Sequence, residues 1–142
     1  MPSAERTISI RRPVDQVFRF LSDGRTATQW RSGVLDVSKT SGTGVGEVWR
    51  QVVRGPGGRP VDADYEITAL EPERRIAFRT IAGPVRPEGE FSFEAMGDAT
   101  ILTFRLHVEL SGWKRLVLGR AVESTMAAEM AALDRLQDLL ER

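Results

Sequence analysis

The chain has no cysteine, one histidine and one tyrosine, and these shortages remove whole classes of chemistry before any motif is sought. Without cysteine there is no disulfide, no thiolate metal site and no thiol nucleophile. With His107 as the single histidine, carboxylates are the only plentiful metal ligands, so neither a metal site nor a cofactor is expected. The 20 basic and 20 acidic residues cancel, which leaves no global field to attract nucleic acid or an anionic membrane. No apolar run reaches the length of a bilayer span, and residues 1–12 lack a hydrophobic leader. A cytoplasmic protein with no nucleic-acid partner and no stable membrane insertion is expected. No Gly-x-Ser-x-Gly elbow is present, which removes the usual hydrolase signal.

What is present has the periodicities of an α+β domain covering residues 1–142, a length that buries a sizeable core. Ile8 and Ile10 alternate with Thr7 and Ser9, the pattern of a half-buried strand over residues 5–11. Pro13 then suits a helix start, with Val14, Val17, Phe18 and Leu21 at helical spacing. A second short helix is expected over residues 26–30. Strands follow at residues 34–38, 47–53, 61–70, 75–81, 88–95 and 100–110, separated by turns at Glu71-Pro72-Glu73 and Met96-Gly97-Asp98 and by loops at 54–60 and 82–87. Gly42-Thr43-Gly44-Val45-Gly46 has the look of a phosphate loop, yet it precedes a strand, whereas such a loop must open a helix; it reads as a turn.

The last stretch, residues 119–142, is free of proline and glycine after Gly119. Val122, Met126, Met130, Leu133, Leu136 and Leu140 form one stripe at spacings of three and four. Such a helix spans on the order of 35 Å, enough to cover a sheet. Residues 113–118 mix basic and apolar side chains and read as its first turns or entry loop.

Strand phase assigns the faces. If the aromatic and aliphatic residues point inward, the outward residues are Asp62, Asp64 and Glu66 on one strand, Arg75 and Arg79 on the next, then Glu88, Glu90 and Glu94, then Arg105 and His107. Acidic and basic strands alternate, so antiparallel neighbours place opposite charges side by side. The inner face carries Trp49, Gln51, Tyr65, Ile67, Phe78, Phe91, Phe93, Phe104 and Leu106, and the terminal helix is the element long enough to cover it.

Strand, two short helices, meander and long terminal helix are the helix-grip order of the START-like (SRPBCC) superfamily. The chain resembles its polyketide cyclase/dehydrase and lipid-transport branch through Pro13 to Phe18 with Leu21-Ser22-Asp23, Trp30, the turn at residues 42–46, and Tyr65 to Thr68 before Glu71-Pro72. Arg75 to Arg79 and Gly89 to Glu94 add to the likeness. It implies a curved antiparallel sheet of about seven strands wrapped on the helix around an apolar cavity. Binding and catalysis both occur on this fold, and no catalytic motif of an enzyme branch can be placed residue by residue.

The inward phase and this resemblance together nominate Trp30, Trp49, Gln51, Tyr65, Phe78, Phe91, Phe93, Phe104, Met126, Ala127 and Met130 as ligand-binding residues. The cavity is expected beside the methionine and alanine stretch of the helix, where Ala127 leaves room, with its mouth at loops 54–60 and 82–87. Three functions stay open: binding of a small hydrophobic or amphipathic molecule, cyclase or dehydratase chemistry with Tyr65 and Gln51 orienting a carbonyl, and a structural or regulatory partner whose cavity its own side chains fill. The sequence carries no signal of oligomeric state. His107 lies on the outer phase, so His107→Ala should leave ligand affinity, measured by calorimetry, within about twofold; a loss of about a hundredfold would reverse the strand phase and restore an acid-base role.

Overall fold

A computed structural model describes residues 2–142. The alternation at Ile8 and Ile10 builds strand β1 (Ser3–Ile10). Pro13 occupies the N-cap of helix α1 (Val14–Ser22), one position before the expected first turn, and Val17 and Phe18 are the buried residues of that helix. A 3-10 turn at Gly24–Thr26 leads into the single turn of α2 (Ala27–Trp30). The chain then runs through β2 (Val34–Ser41), β3 (Val48–Arg54), β4 (Pro60–Asp62), β5 (Tyr65–Glu71), β6 (Arg75–Thr80), β7 (Glu88–Met96) and β8 (Ala99–His107) before the closing helix α3 (Trp113–Leu140).

The strands form one curved antiparallel sheet in the order β1-β8-β7-β6-β5-β3-β2, with β4 also paired to β3. This is the α+β helix-grip architecture, with eight strands where about seven were expected. The extra strand arises because residues 61–70 break in two. At the break the Asp64 carboxylate accepts from the Gln51 backbone N–H (3.2 Å), and the Asp64 carbonyl accepts from Ile81 N–H (2.7 Å). Asp64 therefore uses its side chain on the backbone instead of facing solvent as the strand phase implied. Bulges between Val34 and Asp36, Lys39 and Ser41, and Ile67 and Ala69 shift the register and let the sheet curl.

Most of the alternating charges pair as the phase required, Asp62, Asp64 and Glu94 apart. Glu66 meets Arg79 (3.0 Å), Glu90 meets Arg75 (2.9 Å), Glu88 meets His107 (2.9 Å), and Glu5 meets Arg105. The inner face carries an aromatic row running across five strands. Trp49 stacks on Tyr65, Tyr65 meets Phe78 edge-on, Phe78 tilts against Phe91, and Phe91 stacks on Phe104 at 4.3 Å between ring centres. Gly89 makes that row possible, since a Cβ there would lie 2.4 Å from the Phe78 ring.

Helix α3 begins six residues before Gly119, so residues 113–118 are its first turns and Gly119 lies inside it. Its C-terminal half is bolted to β1. Arg6 donates to the Met130 carbonyl (2.9 Å) and the Asp134 carboxylate (2.6 Å), Gln137 donates to the Ser9 carbonyl (2.6 Å), and Glu141 accepts from Arg11 N–H (2.8 Å). Beneath those clamps Leu133 and Leu136 are completely buried beside Ile10, Leu102 and Phe104. Truncating either leucine leaves a void in a packed interior. Leu133→Ala or Leu136→Ala should therefore cost about 2 to 5 kcal/mol in denaturant melts, and a change below about 0.5 kcal/mol, the size of ordinary surface effects, would contradict this packing.

Candidate ligand-binding site

The packing of α3 is uneven, and the unevenness makes the cavity. Its C-terminal half lies on the core through leucines, whereas its N-terminal half presents Leu118, Ala121, Val122, Thr125 and Met126 to a space of about 250 Å³. The opposite wall is Ile67, Ile76, Phe78, Phe91, Phe104 and Leu106 from the sheet, and Trp30 and Tyr65 close one end. Arg54 at the end of β3 and the loop residues Gly55, Pro84 and Val85 border it.

Of the residues expected to line it, Trp30, Gln51, Tyr65, Phe78, Phe91, Phe104 and Met126 do so. Four do not. Ala127 is exposed, because one residue beyond Met126 is about 100° further around the helix; Ala121, nearly two turns earlier, is the small residue at the wall. Met130 is buried below the cavity in the leucine-packed part of the core. Phe93 packs edge-on against Phe18, 5.2 Å between centres. Trp49 lies beneath Tyr65, and its indole N–H donates to Glu47 (2.9 Å), which also accepts from Gly44 N–H (2.9 Å). The turn at residues 42–46 thus supports the floor of the site.

At the polar end of the cavity Gln51 and Tyr65 were anticipated, whereas Arg31 and Glu129 were not. Gly24 starts the 3-10 turn directly against the aromatic floor; a Cβ there would fall 2.4 Å from the Tyr65 hydroxyl and 2.8 Å from the Trp49 ring. That approach sets α2 over the sheet, with Trp30 edge-on to Phe91, and points the next residue, Arg31, across to α3. Its guanidinium grips Glu129 in a fork, Nε to Oε2 at 2.7 Å and Nη2 to Oε1 at 2.9 Å, while Nη1 donates to Gln51 Oε1 at 3.1 Å. Gln51 Nε2 in turn donates to the Ala63 carbonyl at 3.1 Å. Only 20% of the Arg31 side chain and 14% of the Glu129 side chain remain accessible, and both residues line the cavity. Burial works against the Arg31 cation, but the charge and hydrogen bonds of Glu129 more than offset it, so the guanidinium is held above its ordinary value.

Arg31 and Glu129 stand 98 positions apart, so no local pattern joins them. A faint signal existed: Glu129 flanks the stripe at three residues from Met126 and four from Leu133, and Arg31 follows Trp30, a residue expected to line the cavity. His107 stays on the outer face beside Glu88. Among the described residues no cluster of three metal-ligating side chains occurs, and no helix is long and apolar enough to cross a membrane.

A family model described as polyketide cyclase/dehydrase and lipid transport matches residues 1–141. Similar solved structures include TTHA0849 from Thermus thermophilus (TM-score 0.80, 21% identity, 96% of this chain and 95% of that one). A START superfamily protein from Mycobacterium smegmatis aligns with TM-score 0.80 at 18% identity over 98% and 97% of the two chains. The Zhui aromatase/cyclase from Streptomyces sp. R1128 aligns with TM-score 0.68 at 21% identity over 92% and 90%. These likenesses establish the fold. No curated protein matches the chain.

Tyr65 offers a direct probe of the cavity's polarity. Burial pushes its phenol up to about 12, with Arg31 opposing and Glu47 and Asp23 adding to the shift. Since the chain has one tyrosine, phenolate absorbance reports this group alone, and its midpoint should lie near 12 in the folded protein against 10.0 unfolded. Between those values the folded state holds the proton more tightly, so stability is fully present below the unfolded value and falls as pH rises through the window. A folded-state midpoint at the unfolded value would mean a water-filled, polar site.

Proposed function

Since the chain belongs to the polyketide cyclase/dehydrase and lipid-transport family, we propose that it binds a small, uncharged, ring-based molecule through one hydrogen-bond-accepting group. The apolar body of the ligand lies between α3 and the aromatic row, and its polar group meets Arg31 and Tyr65. At about 250 Å³ the space falls just below the roughly 300 to 1,000 Å³ typical of drug-sized ligands, so a two-ring body suits it.

The observation that carries this reading is the fork between Arg31 and Glu129. A guanidinium has five N–H donors, and three of them go to Glu129 and Gln51. The remaining two, with the Tyr65 hydroxyl, suit a ketone, quinone or phenol oxygen. A carboxylate would bring a second negative charge beside Glu129 in a poorly solvated space, where an uncompensated charge costs several kcal/mol.

The same geometry weighs against an enzyme of the cyclase or dehydratase kind, the second reading, which the likeness to an aromatase/cyclase keeps in view. Arg31 and Tyr65 suit polarisation of a carbonyl, yet proton abstraction also needs a base. Glu129 is held by Arg31, Asp23 is kept below its ordinary range by the Arg25 guanidinium and backbone amide, against a smaller opposing effect of burial, and Asp62, the remaining lining carboxylate, is exposed on β4 and not held in the desolvated interior. Tyr65, pushed up to about 12, stays a donor at neutral pH. Binding is therefore the better supported function.

Calorimetry with two matched probes tests it. Acetylnaphthalene should bind at least about tenfold more tightly than naphthoate, a difference of about 1.4 kcal/mol. Tyr65→Phe should weaken the ketone by roughly 0.5 to 1.5 kcal/mol, the size of one lost hydrogen bond. Equal or tighter binding of naphthoate, or no binding of either, would sink the proposal, and turnover of a polyketide-like substrate would place the enzymatic reading first.

A further inference from the structure

The first turns of α3 are apolar on both sides. Leu118, Ala121 and Val122 face the cavity, while on the outside Trp113 is 65%, Leu116 88% and Val117 68% exposed. Positions 113, 116, 117 and 120 share one helix face, so that face reads Trp, Leu, Val, Arg. These turns are also lightly held. Gly112 provides no side-chain cap, no residue of α3 before Val122 is buried, and Gly119 interrupts the interior, a weak point in any helix.

Net charge is zero over the whole chain, but its distribution around the mouth is one-sided. Loop 54–60 holds two cations, Arg54 and Arg59; loop 82–87 holds one, Arg86; residues 111–120 hold three, Lys114, Arg115 and Arg120; none of these segments has a carboxylate. They adjoin one another, since Lys114 donates to the Pro84 carbonyl at 3.2 Å and Gly83 lies against the Asp62 carbonyl. The flanking acids are Asp62, Glu109 and Glu88, the last paired with His107.

We infer that this end of the molecule docks reversibly on an anionic lipid surface, with Trp113, Leu116 and Val117 entering the interface and the surrounding Lys and Arg side chains meeting the headgroups. Exposed Trp and aliphatic side chains ringed by cations are the pattern of an interfacial helix. Nucleic acid would use the cations and leave the aliphatics idle. A stable pair of protein copies buries about 1,200 to 2,000 Å², far more than three side chains supply. The contact is peripheral, because the helix is too polar to span a bilayer. It concerns the outer face of α3 and stands whatever the charge of the cavity ligand.

Trp30 and Trp49 are buried, so a fluorescence response to vesicles belongs to Trp113. With phosphatidylcholine vesicles containing phosphatidylglycerol, emission should shift to the blue and the protein should co-sediment, and both effects should fade with added salt; pure phosphatidylcholine should give neither. Trp113→Phe should abolish the shift. Replacing Lys114, Arg115 and Arg120 together with Gln should weaken partitioning about a hundredfold, and Leu116→Ser with Val117→Ser, both at exposed positions, should weaken it as well. The inference is overturned if the anionic vesicles bind nothing, if either set of variants partitions like the parent, or if sedimentation velocity shows that the face pairs two copies and vesicles do not compete.

Discussion

The buried ion pair of Arg31 and Glu129 is the contact on which the arrangement of α2, α3 and the sheet depends. Removing two charges from water is costly, and their mutual attraction repays it only when geometry is good and the remaining donors are used. Here the fork is bidentate and Gln51 takes a third donor, so the pair ties the end of α2 to α3, to β3 and to the link between β4 and β5. Loss of one partner would strand the other, at a cost of roughly 3 to 5 kcal/mol. The pair also divides the interior. On one side Leu133 and Leu136 pack without gaps, and on the other the helix stands away from the aromatic row and leaves the cavity.

Much of this was legible in the sequence, because strand phase and helix spacing are local. Glu66, Glu88 and Glu90 found their cross-strand partners, and Val122, Met126, Met130, Leu133 and Leu136 are the buried stripe of α3. Local pattern failed where a distant group intervened. Residues 61–70 read as one strand because nothing in the alternation shows the Asp64 carboxylate taking over the amide of Gln51. Helix α3 starts six residues before Gly119, a helix boundary when read in isolation, because that glycine takes ordinary helical backbone and does not break the run. Ala127 looked like the wall residue, but it lies about 100° around the helix from Met126 and is exposed, and Ala121 stands at the wall instead. Arg31 and Glu129 lie 98 positions apart, and only the fold makes them a pair.

Function follows from the same division of the interior. The family spans catalysis and carriage, and the proposed binding role rests on this cavity's donors, with two of its lining carboxylates, Asp23 and Glu129, committed to arginines and the third, Asp62, exposed. An internally neutralised guanidinium is a hydrogen-bond donor with little net charge to offer, so it suits a neutral oxygen. The thin, twice-apolar first turns of α3 separate that site from a cationic, apolar outer surface.

Cancellation of the Arg31 charge by Glu129 is the central claim, and Glu129→Gln tests it most directly, since it keeps the shape and much of the hydrogen bonding while removing the negative charge. Affinities of the folded variant for acetylnaphthalene and naphthoate should reverse their order, with the carboxylate gaining at least about tenfold as it becomes the counter-ion of Arg31. An unchanged preference for the ketone in Glu129→Gln would contradict the claim that this ion pair sets the ligand's charge.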